Sequence, residues 1–406
     1  MTNENEYDAI VVGARCAGSP TAMLLARQGR RTLLVDRATF PSDTVSTHFI
    51  HAKGVAALRR WGVLDHVIAS GCPAVDHYSM DFGPVTIAGT PRPAEDGGVL
   101  GYCPRRTVLD KILVDAAVEA GAEVREGFAV DQIVVEDGRV VGVRGHGADG
   151  IHVEERAAIV VGADGRNSRV AKAVDPPRYN EKPMLQWSYY TYFRDLPVSG
   201  MEIVVRPDRG WAALPTNDGL TLVVVGWPMA ESSAYKSDVE ANFFKTLELA
   251  PEFAARVAAA TRVERFTGTA CDNFFRQPYG PGWALVGDAG YTKDPITAQG
   301  ITDAFRDAEL CAVAIGAWLD GRASFDDALS TYQSTRDAAV GPIYEFTAQL
   351  ASLAPPPAEL QQLLGAAYGN TEAMADFVSL TTGTVSPVDF FDPGNIGRIM
   401  GAAVGA

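Results

Sequence analysis

The cysteines of this chain form no pair at a redox or metal-binding spacing. Cys16, Cys72, Cys103, Cys271 and Cys311 are odd in number and scattered, and none belongs to a C-x-x-C. That argues against a disulfide framework and reads as a reducing, cytoplasmic setting. The six histidines include no H-E-x-x-H or related spacing, so no metal site is expected. No apolar run reaches the roughly 18 residues that cross a bilayer. The long apolar helical segments carry Arg, Asp or Gly inside them. The first residues, MTNENEYD, are polar and acidic, where a secretory leader has a basic stretch and an apolar run. Basic residues are in deficit: 35 Lys and Arg against 50 Asp and Glu give a net charge of −15. That argues against a nucleic-acid surface and against attraction to anionic membranes. Internal repeats and low-complexity tracts are missing as well. What remains is ordinary for a globular protein, 47% hydrophobic and 21% charged over 406 residues, enough for two or three domains and a sizeable core.

Periodicity places the first elements. Tyr7–Val12 reads as a short buried strand that ends at Gly13. A helix over Ala17–Gly29 and a strand over Thr32–Val35, ending at Asp36, complete a βαβ unit. Helices are expected from about Gly54 to Trp61 and over Arg106–Gly121, and strands over Glu123–Val143 around an Asp137-Gly138 turn. Ala157–Val161 and Trp283–Val286 read as further short buried strands. Residues 184–230, rich in Tyr, Trp, Thr and Val, read as antiparallel strands of a second, β-rich region. Helices are expected over Asp238–Ala260, Gln299–Leu319 and Phe325–Leu350, with a break at Ala354-Pro355-Pro356-Pro357 before a small helical cap.

Three motifs carry chemistry. Gly13-Ala14-Arg15-Cys16-Ala17-Gly18 follows a strand and opens a helix, with glycines at the first and third fingerprint positions. The first allows a tight turn and the third allows close packing of helix on strand. Free N–H groups at the helix start suit a pyrophosphate, and an acid at Asp36 suits ribose hydroxyls. Arg15 stands where the middle glycine normally lies, pointing outward or contacting a phosphate. The second motif is Gly162-Ala163-Asp164-Gly165-Arg166-Asn167-Ser168, and the third is Gly287-Asp288-Ala289 continuing through Pro295 to Gln299-Gly300. Each follows a buried strand and so lies at a strand's carboxyl end, where ligands bind in open α/β sheets. Taken singly, each is also an ordinary Asp-Gly or Gly-Asp turn.

On the Gly13–Gly18 fingerprint with Asp36, on Arg106-Thr107-Val108-Leu109-Asp110, and on the Gly162–Ser168 and Gly287–Gly300 segments, the chain resembles a group of FAD-dependent enzymes. The group holds para-hydroxybenzoate hydroxylase-like monooxygenases, geranylgeranyl reductases and flavin-dependent halogenases. The resemblance implies an α/β fold: a Rossmann-type FAD-binding domain, an interleaved β-rich substrate domain and C-terminal helices. The FAD-binding domain would be discontinuous (1–75, 100–175 and 270–350), with substrate-domain segments at 76–99 and 176–269 and a cap at 351–406. It also implies the cofactor contacts. Gly13, Arg15, Cys16, Ala17 and Gly18 would face the ADP pyrophosphate, with Asp36 and Arg37 at the ribose and Arg106 against the FAD. Asp164 would join structure to cofactor, and Gly287 and Asp288 would meet the ribityl or pyrophosphate side. Pro295, Gln299, Gly300 and Ile301 would lie by the isoalloxazine, where a helix N-terminus stabilises the anionic reduced ring. The departures from the family pattern are Ala171 and Lys172 where an Arg is usual, Gly290-Tyr291 after the third motif, and Thr302 in place of an Asn.

For catalysis, Asp294, Pro295 and His48 are singled out. Asp294 would be a proton handler at the ring edge, and His48, with His51, lies in a stretch where the family has cofactor contacts. Trp187, Tyr189, Trp211, Pro215 and Trp227 form a candidate substrate pocket, with Tyr190 and Tyr192 in the same aromatic wall, although such alternating aromatics are more often core. With a single dinucleotide fingerprint, NAD(P)H would act as a transient reductant, or a flavin reductase would supply electrons. The expected reaction is hydroxylation or epoxidation of a small aromatic or polyketide-like substrate with molecular oxygen through a flavin C4a-hydroperoxide. Reduction of isoprenoid double bonds is the alternative. Halogenation ranks lower, because only Trp211, Leu214 and Pro215 match part of the W-x-W-x-I-P segment. No nucleic acid and no membrane span are expected.

Overall fold

The computed structural model describes residues 6–402, so most of the polar leader and the last few residues lie outside it. The main sheet runs in the order 279–280, 283–285, 152–162, 7–12, 32–36, 123–126. Its centre is parallel: Tyr7–Val12 pairs with His152–Gly162 on one side and Thr32–Asp36 on the other. A parallel sheet is covered on both faces, which explains the unbroken apolar runs. Ala9, Val11, Leu34, Ile159 and Val161 join one core with the helices Gly18–Arg27, Arg106–Glu119 and Gly300–Leu319. Ile10, Val12, Leu33, Val35 and Val160 enter the opposite core, under the hairpin of Ala129–Glu136 and Arg139–His146. That hairpin turns at Asp137 and Gly138, both with positive φ (47° and 76°), as a tight two-residue turn requires.

A second mixed sheet lies beside the first, with its longer strands at Gln186–Arg194, Leu220–Pro228, Arg209–Pro215 and Met201–Arg206, then Tyr78–Asp81 and Thr86–Gly89 at its edge. One face packs on the helices Val239–Leu247 and Pro251–Ala259. The sequence reads as one helix across this stretch, but the chain breaks before Pro251. Proline lacks the N–H that would continue the ladder and suits a first turn. The other face looks toward Phe346 and the C-terminal helices Ala358–Ala367, Thr371–Thr382 and Pro387–Phe390. No described helix is long and apolar enough to cross a membrane.

Candidate active site

Three loops meet at the carboxyl ends of neighbouring parallel strands, and backbone hydrogen bonds join them. Gly13 N–H donates to Val35 O (2.8 Å), Ala163 N–H to Val12 O (2.8 Å) and Val286 N–H to Gly162 O (3.0 Å). Motifs far apart in sequence therefore become one edge. At Gly13, φ is +103°, and a Cβ would stand 2.5 Å from Ala163 O. At Gly18 a Cβ would stand 1.7 Å from Gly13 O. Only glycine permits that crossing of turn and helix. The helix Gly18–Arg27 has no side-chain cap; Ser19 N–H donates to Arg15 O (3.0 Å) and Pro20 carries no N–H, so an anion here would be met by the turn at Arg15–Ala17, which lines the cavity.

These loops open onto a cavity of about 1460 Å³. It is lined at one end by Gly13, Arg15, Cys16, Ala17, Asp36 and Arg37, and further in by Arg106, Asp164, Gly287 and Asp288. Gly18 is not at its surface; its part is the close packing just described. The Asp36 carboxylate accepts N–H bonds from Ala14 (2.7 Å) and Ala38 (2.8 Å), which fixes it at the strand end. The guanidinium of Arg15 is tied back to Asp110 and Ser42 and lies over Phe40. Arg106 is buried and makes two bonds to Asp110, at 3.0 and 3.1 Å. Asp110 thus holds both arginines in place, a role that its position inside a helix does not announce. Burial pushes the Cys16 thiol well up, so it is a packing group and not a thiolate. Burial also raises the carboxyls of Asp164 and Asp288. One Asp164 oxygen takes the Arg169 N–H at 2.6 Å, while Oδ1 is buried without a protein partner.

At the other end of the cleft, Asp294, Pro295 and Thr297 line the wall with Ala298, Gly300 and Ile301. The Gln299 side chain turns away, donating to Thr381 O at 3.4 Å. Gly300–Leu319 begins here without a side-chain cap, so a second helix N-terminus faces the cavity. Asp294 is 1% exposed. Its Oδ1 accepts from Gln186 and from the Ile296 N–H (3.1 Å), and its Oδ2 has no protein partner. Burial raises this carboxyl to about 7, into the range where it exchanges protons at neutral pH. His48 is buried behind the wall, its Nε2 3.0 Å from the Tyr192 hydroxyl, and burial with Arg106 nearby lowers it to about 3. His51 does line the cavity. Its Nε2 donates to Thr297 O at 2.9 Å, and burial lowers it to about 4. Both rings are neutral at physiological pH.

A charged group that sequence reasoning missed lies beside Asp294. Lys293 and Asp303 line the cavity and pair with each other, and Arg306 bridges Asp303 (2.9 Å) and Asp307 (2.7 Å). Asp307 in turn accepts the Gly287 N–H at 3.2 Å. Acids and an arginine at 303, 306 and 307 in an otherwise apolar helix were the available signal.

The five aromatic-pocket candidates do not converge on the cavity. Trp227 is fully buried, stacked on Tyr235 at 4.6 Å between centroids. Tyr189 packs edge-on against Trp227, and Trp187 lies beneath Lys236. Trp211, which also touches the cavity, sets its ring against Phe253. Pro215 shares that side of its strand by alternation. Side chains alternate along a strand, so the cavity face belongs to the intervening residues. Those are Ser188, Tyr190, Ala212, Leu214, Leu222 and Val224. Beyond them the cavity becomes apolar, walled by Met80, Phe346, Leu363, Phe377, Phe391 and Ile396.

The family of FAD binding domains matches residues 6–347. The chain belongs to that family. It is a flavin oxidoreductase. It is 31% identical over 369 residues to digeranylgeranylglycerophospholipid reductase 1 of Methanopyrus kandleri, covering 86% of this chain and 91% of that one. It is 29% identical to 6-methylpretetramide 4-monooxygenase of Streptomyces rimosus, covering 74% and 73%. The solved structure of a myxobacterial chondrochloren halogenase shares the fold, with a TM-score of 0.80 at 23% identity, covering 98% of this chain and 97% of that one. A flavoprotein/dehydrogenase of Cytophaga hutchinsonii superposes with a TM-score of 0.82 at 18% identity, covering 98% and 97%.

The residues present fit FAD. Two glycines clear the turn, the uncapped start of Gly300–Leu319 faces the cavity, and Arg37, Arg166 and Arg169 line it as cations that a pyrophosphate can meet, among an equal number of acidic and basic lining residues.

Proposed function

We propose that this flavin enzyme is a monooxygenase. It would hydroxylate or epoxidise a small, largely apolar aromatic or polyketide-like substrate, using molecular oxygen and electrons from NAD(P)H. The observation that carries this reading is the continuity of one cavity. It runs from the loops at Gly13 and Asp288, past Asp294, into an apolar chamber between the second sheet and the C-terminal helices. FAD, when bound, would supply the redox chemistry between a nicotinamide donor and dioxygen. The loop at Gly13–Gly18 would hold its pyrophosphate, and Asp36 and Arg37 its adenosine end. The N–H groups at Gly300 and Ile301 would offer positive charge to the ring. Asp294 handles the proton of the reacting substrate from a site that is buried yet titrates near neutrality. Leu214, Leu222, Val224 and Phe377 keep bulk water from the substrate.

The apolar lining of that chamber, aromatic and aliphatic side chains together, also suits a second reading, reduction of an isoprenoid double bond. The relative from Methanopyrus kandleri bears on the same point. One experiment separates the two. The FAD-loaded enzyme is given NADPH or NADH, candidate polycyclic phenols and prenyl lipids, and isotopically labelled dioxygen, and products are weighed by mass spectrometry. A product carrying one labelled oxygen supports the monooxygenase. A product heavier by two hydrogens, formed equally well without air, overturns it in favour of the reductase.

A further inference from the structure

Away from the cavity, three adjacent strands bring together residues that match no linear metal motif. His146 ends the strand Arg139–His146 and His152 begins the strand His152–Gly162, and the two stand directly opposite each other. Their rings are 5.0 Å apart between centroids. On the next strand, Ala129 pairs with His146, and the register then slips between Val130 and Gln132. Asp131 is the extra residue of that bulge. A bulge re-aims the side chain it carries. Here the carboxylate of Asp131 comes to 2.7 Å from His146 Nδ1 and 3.4 Å from His152 Nδ1. One ligand atom from each residue falls within 4.8 Å of the others.

We propose that Asp131, His146 and His152 form a site for a borderline divalent cation of the zinc type. Two imidazoles and a carboxylate are the donor set that such ions prefer, and they leave a fourth, tetrahedral position for water. Zinc–ligand bonds near 2.0–2.1 Å set ligand atoms about 3.3 Å apart. The Asp131–His152 separation of 3.4 Å already matches, and the hydrogen-bonded Asp131–His146 pair, at 2.7 Å, opens by about 0.6 Å. The ligands sit on paired strands, so little chain entropy is lost on binding. Neighbouring Arg144 is engaged by Gln132 and Glu154 and leaves the site clear on that side. Arg169 acts on Asp131 from the helix Arg169–Val174 and is the cation that opposes binding.

The site's place gives it a structural role. It joins three strands of the hairpin layer. Phe128, Ala129 and Val130, just before Asp131, line the cavity at the end marked by Asp36 and Arg37. A bound ion therefore stiffens the outer wall of the adenosine end and takes no part in redox chemistry.

The test uses tag-free, FAD-loaded protein stripped with a chelator and titrated with zinc chloride by calorimetry. Wild type takes up one zinc per chain, and its melting temperature rises. His152→Ala and Asp131→Asn each lower the affinity at least tenfold and lose that rise. Both keep the flavin spectrum and the metal-free melting temperature, because the three side chains are at the surface. His66→Ala, remote from the cluster in sequence, leaves uptake unchanged. Absence of stoichiometric uptake by wild type overturns the proposal. So does undiminished binding by the two site variants, or loss of binding in His66→Ala.

Discussion

Gly18 shows how little freedom a single position has. With Gly13 O only 1.7 Å from where a Cβ would be, Gly18→Ala forces the turn and the helix apart. The expected outcome is protein that purifies without flavin colour, measured as the ratio of visible to ultraviolet absorbance. Asp294 allows a finer test. Its carboxyl sits near 7 against about 3.9 in an unfolded chain. Between those values the folded protein binds more protons than the unfolded one, so this group's contribution to stability falls as pH rises from about 4 to 7. As the proposed proton acceptor, it is expected to make turnover rise through pH about 7. Asp294→Asn removes that step from the pH profile and lowers turnover while FAD stays bound. A variant with the same profile as wild type would show that another group handles the proton. Asp294 was legible as a candidate because it precedes Pro295 in the third motif, and the structure buries it at the cavity wall. Asp110 was not legible as the anchor of Arg15 and Arg106, since its bond to Arg15 spans 95 residues.

The strands of the second sheet carry two different surfaces. In Leu220–Pro228, Leu222 and Val224 face the cavity, while Val223, Val225 and Trp227 pack on the helices behind. Residue types could not separate the faces, because both are apolar and each carries aromatic side chains, Tyr190 on the cavity and Trp227 behind it. A shift of one residue exchanges the faces completely. Two substitutions test the assignment. Trp227→Ala empties a packed core and costs about 3–5 kcal/mol, read as a lower denaturant midpoint, with flavin reduction little changed. Ala212→Trp fills the chamber from the opposite face. It keeps FAD and stability near wild type and abolishes the acceleration of NAD(P)H oxidation by substrate. If Trp227→Ala selectively weakens substrate binding instead, the faces have been assigned in reverse. The helices at Ala358–Ala367 and Thr371–Thr382 belong to the same scale. Lying beyond residue 347, where the family match ends, they supply Leu363 and Phe377 to the chamber.

For the whole molecule, one cavity runs between parts that also pack directly on one another, the second sheet on the C-terminal helices among them. The cavity touches residues from Val12 to Met400, so its occupant bridges both sheets and the C-terminal helices. A ligand that binds only the folded state adds about 2.7 kcal/mol at a hundredfold excess over Kd. Stripped protein is expected to melt at a lower temperature than FAD-loaded protein, and to recover with added FAD in proportion to the logarithm of its concentration. Identical melting curves would mean that FAD is not held by this cavity.

The sequence by itself determined the nucleotide-binding edge. A tight turn, a helix start and an acid at a strand end are local features, and each leaves its mark within a few residues. Strand type followed for the same reason, since doubly buried strands are continuously apolar. What only the tertiary structure decided is everything built from residues distant in the chain. That includes the face each second-sheet strand turns to the cavity, the tie of Arg15 to Asp110 across 95 residues, and the meeting of Asp131 with two histidines across a bulge. Those depend on register and on which elements pack together, and a single residue's slip in either would change them all.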